Sequence, residues 1–251
     1  MKKFYCIILL FAAQSTFSLE PSKINLRVPT GLEPKQMVLG IQHRFYGNLE
    51  NEFLGINAGA NTGISLRYLI RSKLEMNGSL VRNQKEYTIG AGYAFFIPQI
   101  WFKSQVSVEF FNYEKLGLPD SVSTRRGNLF YSLALQSDPI INRIIPTINI
   151  AYDGYNQRLG LGAGIDFGFT FEIGPLEGMN IIGEYYPIIN RDNDVNGSKN
   201  CFTAGLKFNT YGHHFLFLVG NTAEIGLRRF MLGANNNDLH LGFTIHRFIG
   251  F

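Results

Sequence analysis

Beyond the apolar run Phe4–Ala13 the sequence contains no stretch approaching the roughly 20 apolar residues that a membrane-spanning helix needs. Cysteine is nearly absent. Cys6 lies within that first run and is not followed by the small-residue site of a lipoprotein. Cys201 is then the only cysteine of the mature chain, which excludes an intrachain disulfide and reads as a small side chain on a strand. Charge of one sign is scarce as well. The formal net charge is +4, about +2 without Lys2 and Lys3, and Lys and Arg form no cluster, so a nucleic-acid partner is not expected. No segment carries a helical period. The stretch GLGAGIDFG lacks the GxGxxG spacing and sits in an alternating run, where no strand-to-helix turn can form a phosphate loop. His213 and His214 read as a turn, because neither Cys nor a carboxylate stands near them at ligand spacing. His240 and His246 share a strand face but lie about 20 Å apart along it, too far to hold one ion. No metal and no cofactor are therefore expected. No plug domain is evident, which argues against energised uptake of large ligands.

What remains is apolar and regular. The chain has 251 residues, 45% apolar and 14% aromatic, with 27 Gly. Lys2 and Lys3 precede the apolar run, and Thr16-Phe17-Ser18 follow it. Residues 1–18 read as a secretory signal peptide. Residues 19–35 are expected to be a periplasmic N-terminal segment, and 36–251 a single barrel.

From Gln36 onward, twelve segments alternate apolar and polar. In RLGLGAGIDFGFTF, Leu159, Leu161, Ala163, Ile165, Phe167 and Phe169 fall on one face. Gly160, Gly162, Gly164, Asp166, Gly168 and Thr170 fall on the other. Side chains alternate across a strand with period two, so this is one strand with a greasy face and a small or polar face. The expected strands are 36–47, 60–70, 74–83, 86–96, 101–113, 127–137, 144–154, 159–170, 180–189, 200–210, 213–222 and 238–251. Segments 74–83 and 213–222 alternate poorly, so ten strands are an alternative. Connections after odd strands tend to be long, and those after even strands short, with EIGPLEGMN as an exception. Long loops at one end and tight turns at the other describe an antiparallel up-and-down transmembrane β-barrel. The expected location is the outer membrane of a diderm bacterium, with both termini periplasmic. Tyr68, Tyr93, Tyr131, Tyr152 and Tyr185 fit an outward aromatic belt.

The last strand carries Phe243, Ile245, Ile249 and a terminal Phe251 at even spacing, which reads as the signal taken by the outer-membrane assembly machinery. Arg247 shares that lipid phase, at little cost near a rim. The word HRF occurs at 43–45 and again at 246–248. In an up-and-down barrel the first and last strands pair, but the two words fall at opposite ends and in opposite phases. They are not expected to meet.

These residues resemble a family of bacterial outer-membrane β-barrels recorded as a domain of unknown function. The family has HRFG near its start; here His43-Arg44-Phe45 is followed by Tyr46 before Gly47. Gly55-Ile56-Asn57 stands where the family favours Gly-hydrophobic-Asp. Gly212-His213, Phe215, Asn221-Thr222, and Gly242-Phe243 with Arg247 match its later motifs. The resemblance implies the barrel and its location, and no activity.

Phase places nine charges inside: Arg44, Arg67, Glu75, Lys103, Glu109, Asp153, Asp166, Glu184 and Lys207. At the bilayer midplane a lipid-facing cation would cost ~2–4 kcal/mol, so an inward placement is coherent. A mixed set of this kind can line a narrow aqueous path for small solutes. It can equally form a salt-bridge network that stiffens a closed barrel. The alternatives are a binding barrel acting through loop 223–237 with Arg228, Arg229 and Phe230, a hydrolase, and a soluble barrel. Ser107 and His246 are available to a hydrolase, but a triad is recognised by geometry. The expectation is a narrow channel or transport-related barrel in contact with outer-membrane lipids, and not an enzyme.

Overall fold

The computed structural model describes residues 23–29, 32–50, 53–97, 102–114, 125–141, 143–189 and 199–250. Its strands are β1 (Met37–Phe45), β2 (Ala60–Arg71), β3 (Leu74–Val81), β4 (Glu86–Ile97), β5 (Phe102–Glu114) and β6 (Arg125–Ser137). They continue with β7 (Ile144–Asp153), β8 (Arg158–Ile173), β9 (Leu176–Tyr186), β10 (Cys201–Thr210), β11 (His213–Gly220) and β12 (His240–Ile249). Each pairs antiparallel with its sequence neighbours, and β1 pairs with β12 to close the barrel. Closure leaves no open edge, so every strand has partners on both sides and the backbone polar groups are satisfied within the sheet. That is what a hydrocarbon surround demands.

All twelve expected strands form, the two poorly alternating ones included. In β11 the cause is visible. Its inward residues Leu216 and Leu218 pack with Ile182 and Ile24 in a small apolar cluster inside the barrel, so both faces of the strand are greasy. The expected long connection EIGPLEGMN does not exist. β8 runs on to Ile173 and β9 starts at Leu176, which leaves a two-residue turn at Gly174-Pro175 where Gly174 adopts φ +60. Tight turns thus follow β2, β8 and β10 at one end. The long connections 46–59, 187–200 and 221–239 lie at the other.

The outer surface is the apolar phase. Ile64, Leu80, Ile89, Val106, Leu159 and Phe217 are all exposed along it. Tyr93 lies toward the tight-turn end of this surface, and Tyr131, Tyr152 and Tyr185 lie toward the loop end. Two aromatic levels flanking an apolar band are the surface a bilayer selects. The two HRF words remain apart: His43 faces Phe243, and His246 faces Gly40. His43 instead stacks on Phe243, with centroids 5.0 Å apart and planes 6° from parallel. Phe243, Ile245 and Ile249 share the outward phase of β12 with Arg247; Phe251 and the signal segment 1–18 lie outside the described residues.

The inside is filled, and here the domain expectation is corrected. Within the segment 19–35, residues 23–29 are in the lumen rather than outside the barrel, with Ile24, Leu26 and Val28 all buried, while residues 33–35 are exposed. The segment leaves at the tight-turn end, where Lys35 N–H donates to Leu69 O at 2.8 Å before β1 begins. From the loop end the connection 221–239 folds inward and forms a short helix, Leu227–Met231.

Candidate functional site

The site is the lumen and the two segments that occupy it. Residues 23–28 alternate polar and apolar, Lys-Ile-Asn-Leu-Arg-Val, and the wall receives them with polar groups. The Glu184 carboxylate accepts the backbone N–H groups of Ile24 (2.7 Å), Asn25 (3.0 Å) and Leu26 (3.3 Å), and the Tyr186 hydroxyl at 2.7 Å. Asn149 clasps Arg27 from both sides: its Oδ1 accepts the Arg27 N–H at 2.7 Å and its Nδ2 donates to Arg27 O at 2.9 Å. The Arg27 guanidinium pairs with Glu109. Lys23 Nζ donates to Ile145 O at 3.0 Å and stands 4.0 Å from Asp166. Backbone groups of an irregular segment removed from water need such partners, and the wall supplies them.

Room for the segment comes from the glycines of β8. A Cβ at Gly162 would stand 2.8 Å from Leu26 Cδ2, and one at Gly164 only 2.5 Å from Leu26 Cδ1. A Cβ at Gly160 would meet Met231 Sδ at 2.5 Å. The small face of GLGAGIDFG is therefore a seat for both inserted segments.

The loop-end segment locks in through charge. Arg228 donates from Nε and Nη2 to Glu86 (3.2 and 2.6 Å) and from Nη1 to Asp153 (3.1 Å), with its guanidinium 4.1 Å from the Phe111 ring centroid. Arg229 Nε donates to Glu86 at 2.6 Å. Phe230 is buried, its ring 5.1 Å from that of Tyr186. These three residues are thus not a displayed partner-binding set: the loop turns inward because the barrel holds a carboxylate pair and an aromatic slot that fit them. The two plugs meet where Gly226 N–H donates to Asn25 Oδ1 at 3.3 Å.

Eight of the nine charges placed inside by phase are inside. Arg44 is fully buried, donating to Phe243 O at 2.9 Å and Thr244 Oγ1 at 3.2 Å. Arg67 forks onto Glu75 at 2.9 and 2.7 Å. Lys207 meets Asp166 at 3.1 Å. Glu109, Asp153 and Glu184 hold the plugs as described. Lys103 is the exception. Its Cα faces Gln136 in the inward phase, but it lies at the strand end and its ammonium reaches out to Asp138 at 3.2 Å. A long cationic chain at a rim extends toward solvent when it can. Ser107 accepts from Gln105 Nε2 at 3.3 Å, and His246 faces Gly40 and His214 across the sheet. No hydrogen bond joins Ser107 to His246 among the described residues. His213 and His214 begin β11, with His213 outward beside Arg247 and His214 inward.

A cavity of about 180 Å³ lies beside the plug. Its lining runs from Val38 and Phe248 near the tight turns, past Ser65, Arg67, Gln105 and Glu109, to Glu86 and Arg228 under the loop-end helix. It follows segment 23–28 along the wall of β1 to β5, and Arg228 stands at its far end.

Residues 149–249 match the family model described as a membrane bound beta barrel domain (DUF5777). No curated protein matches the chain. Among solved structures, the NanC porin aligns with 10% identity over 85% of this chain and 99% of its own, at a TM-score of 0.47. Outer membrane phospholipase A from Escherichia coli aligns with 12% identity over 85% of this chain and 92% of its own, at 0.45. An outer membrane channel from Pseudomonas putida F1 aligns with 9% identity over 92% of this chain and all 100% of its own, at 0.45.

Proposed function

We propose that this is an outer-membrane conduit for small polar solutes that its own chain keeps shut. The observation that carries the reading is the cavity, bordered by Arg27, Arg67, Glu86, Glu109 and Arg228, that follows the N-terminal plug along the barrel. A barrel whose lumen served only as a packed core would gain more from apolar side chains, because a buried ion pair contributes less than well-packed hydrophobic residues of similar volume. Here the interior is charged, each end is closed by an inserted segment, and both segments are held by groups that water could replace. The termini and tight turns face the periplasm in this reading, the apolar belt contacts outer-membrane lipids, and β12 presents Phe243, Ile245 and Ile249 to the assembly machinery.

The test is planar-bilayer conductance of the refolded mature protein beside a deletion variant that lacks residues 19–29 and also carries Arg228→Ala, so that both plugs are released. The intact protein is expected to be silent or to open rarely, and the deletion variant to conduct in discrete steps. Silence from the deletion variant, shown to be folded by its heat-modifiable migration, overturns the proposal. A closed barrel acting through its outer loops is the second reading, favoured by one feature. Loop 46–59 displays Phe53, 77% exposed, and Leu54 on left-handed backbone at φ 46 and 61. A Phe53→Ala, Leu54→Ala variant that loses capture of an outer-surface partner while the barrel stays silent would favour it.

A further inference from the structure

Two ion pairs border the cavity, and in both the cation is the open partner. The Arg27 side chain is 23% exposed and the paired Glu109 5%; the Arg67 side chain is 27% exposed and Glu75 0%. Arg27, Arg67 and Glu109 line the cavity, and the two arginines are the more open to it. The other lumen pairs differ: Arg228 with Glu86, and Lys207 with Asp166, are covered on both partners. The Arg67 guanidinium also touches the plug itself. Arg67 Nη2 donates to the carbonyl of Val28, the residue after Arg27, at 3.3 Å. The wall around them adds neutral hydrogen-bonding groups, Gln42, Ser65, Asn77 and Ser79. A guanidinium carries five N–H donors, more than its own carboxylate takes, so a pocket whose cations are the more exposed partners offers charged donors, and these recognise oxyanions.

We infer that the cavity is a binding site for a small oxyanion, an organic carboxylate or a phosphate, clasped between Arg27 on the N-terminal plug and Arg67 on β2. This rests on the reading of the barrel as a solute conduit and names the class of solute. The anion bridges plug and wall, so an occupied site holds residues 23–28 in place.

The experiment is calorimetric titration of the refolded mature protein in detergent with sodium succinate and, separately, with inorganic phosphate, over a chloride background. Saturable binding of one or both is expected, and the arm that saturates identifies the source. Arg27→Gln should weaken it by about tenfold or more. Because Arg67→Gln alone strands the buried Glu75 carboxylate, the paired Arg67→Gln, Glu75→Gln variant tests the wall side, with the same expected loss. Lys103→Gln, at the rim, should bind as the native protein does. Absence of saturable binding in both titrations overturns the inference, as does undiminished binding by Arg27→Gln. Binding without conductance in the plug-deletion variant would leave the anion site standing and remove the conduit; conductance without binding would do the reverse.

Discussion

Arg228 is the single residue on which closure of the loop end depends most. Its guanidinium donates three hydrogen bonds to two carboxylates and covers the Phe111 ring, in surroundings that leave it 6% exposed. Arg228→Ala leaves Glu86 with Arg229 alone and removes the ion pair of Asp153. Breaking a buried pair by deleting one partner costs about 3–5 kcal/mol, mostly the cost of the charge left behind. At 1.4 kcal/mol per factor of ten, the equilibrium for releasing the segment around Leu227–Met231 should rise by roughly two to three and a half orders of magnitude. The penalty falls on the loop rather than the barrel, because the strands keep their ladders. Hydrogen exchange of the refolded protein reads this directly. The Phe230 amide, which donates to Gly226 O at 3.2 Å, should exchange faster by that factor, while amides in β5 and β8 stay protected. If Phe230 exchange is unchanged, the latch does not hold the loop. If β5 loses protection with it, the loop is an inseparable part of the barrel core and the gate assignment fails.

The opposite plug offers cleaner perturbations. Gly162→Val places side-chain atoms where Leu26 sits, at a site where a Cβ alone would come within 2.8 Å, and should expel residues 23–28 while β8 stays paired; protease cleavage within 23–35 reports it. Glu184→Ala strips the acceptor from three backbone N–H groups at about 1–3 kcal/mol for each group left unsatisfied, and should give the same cleavage. Burial holds the Glu224 carboxyl above its ordinary range, with Glu86 acting in the same direction and Arg229, Arg228 and the Asn83 amide opposing. A raised folded value means stability present at acid pH and lost as pH rises through that value. A spin label at exposed Asn236 should therefore gain mobility as pH rises, and Glu224→Gln should flatten that dependence.

The wall of the barrel is legible in the sequence because lipid enforces it. A one-residue error in phase would put Asp166 or Glu109 in hydrocarbon, so alternation survives in nearly every strand and the eight inward charges follow from counting. The plug is less legible because it obeys no such external constraint. Segment 23–28 alternates as strictly as any strand, Lys-Ile-Asn-Leu-Arg-Val, yet it pairs with side chains instead of a neighbouring strand. Its partners, Glu184 and Asn149, are more than a hundred residues away. Loop 221–239 looks like a displayed loop from its position and its Arg228-Arg229-Phe230. Only the coincidence of Glu86, Asp153 and Phe111 at one level of the lumen turns it inward. Two signals were available: an unbroken run of inward glycines in β8, which leaves volume that something must fill, and the greasy inner face of β11, which has no purpose in a water-filled pore.

The two plugs also constrain how the barrel could open. They touch at Asn25 and Gly226, but they are anchored independently, one by Glu184, Asn149 and Glu109, the other by Glu86 and Asp153. Releasing the loop end leaves the N-terminal segment seated, and the reverse also holds, so a continuous path needs both to move. The N-terminal segment is the weaker of the two. Asn25 Nδ2 and Arg27 Nε are buried without an acceptor among the described residues, and an unmet donor of this kind costs about 1–3 kcal/mol. The loop-end helix carries no such deficit in its own arginines: Arg228 and Arg229 both donate to carboxylates. Opening should therefore begin from the tight-turn end, with residues 23–28 leaving first and the Arg228 latch setting the final barrier. Plug deletion and latch substitution together should then conduct more than the two single changes summed; simple additivity would mean that the two plugs close separate paths.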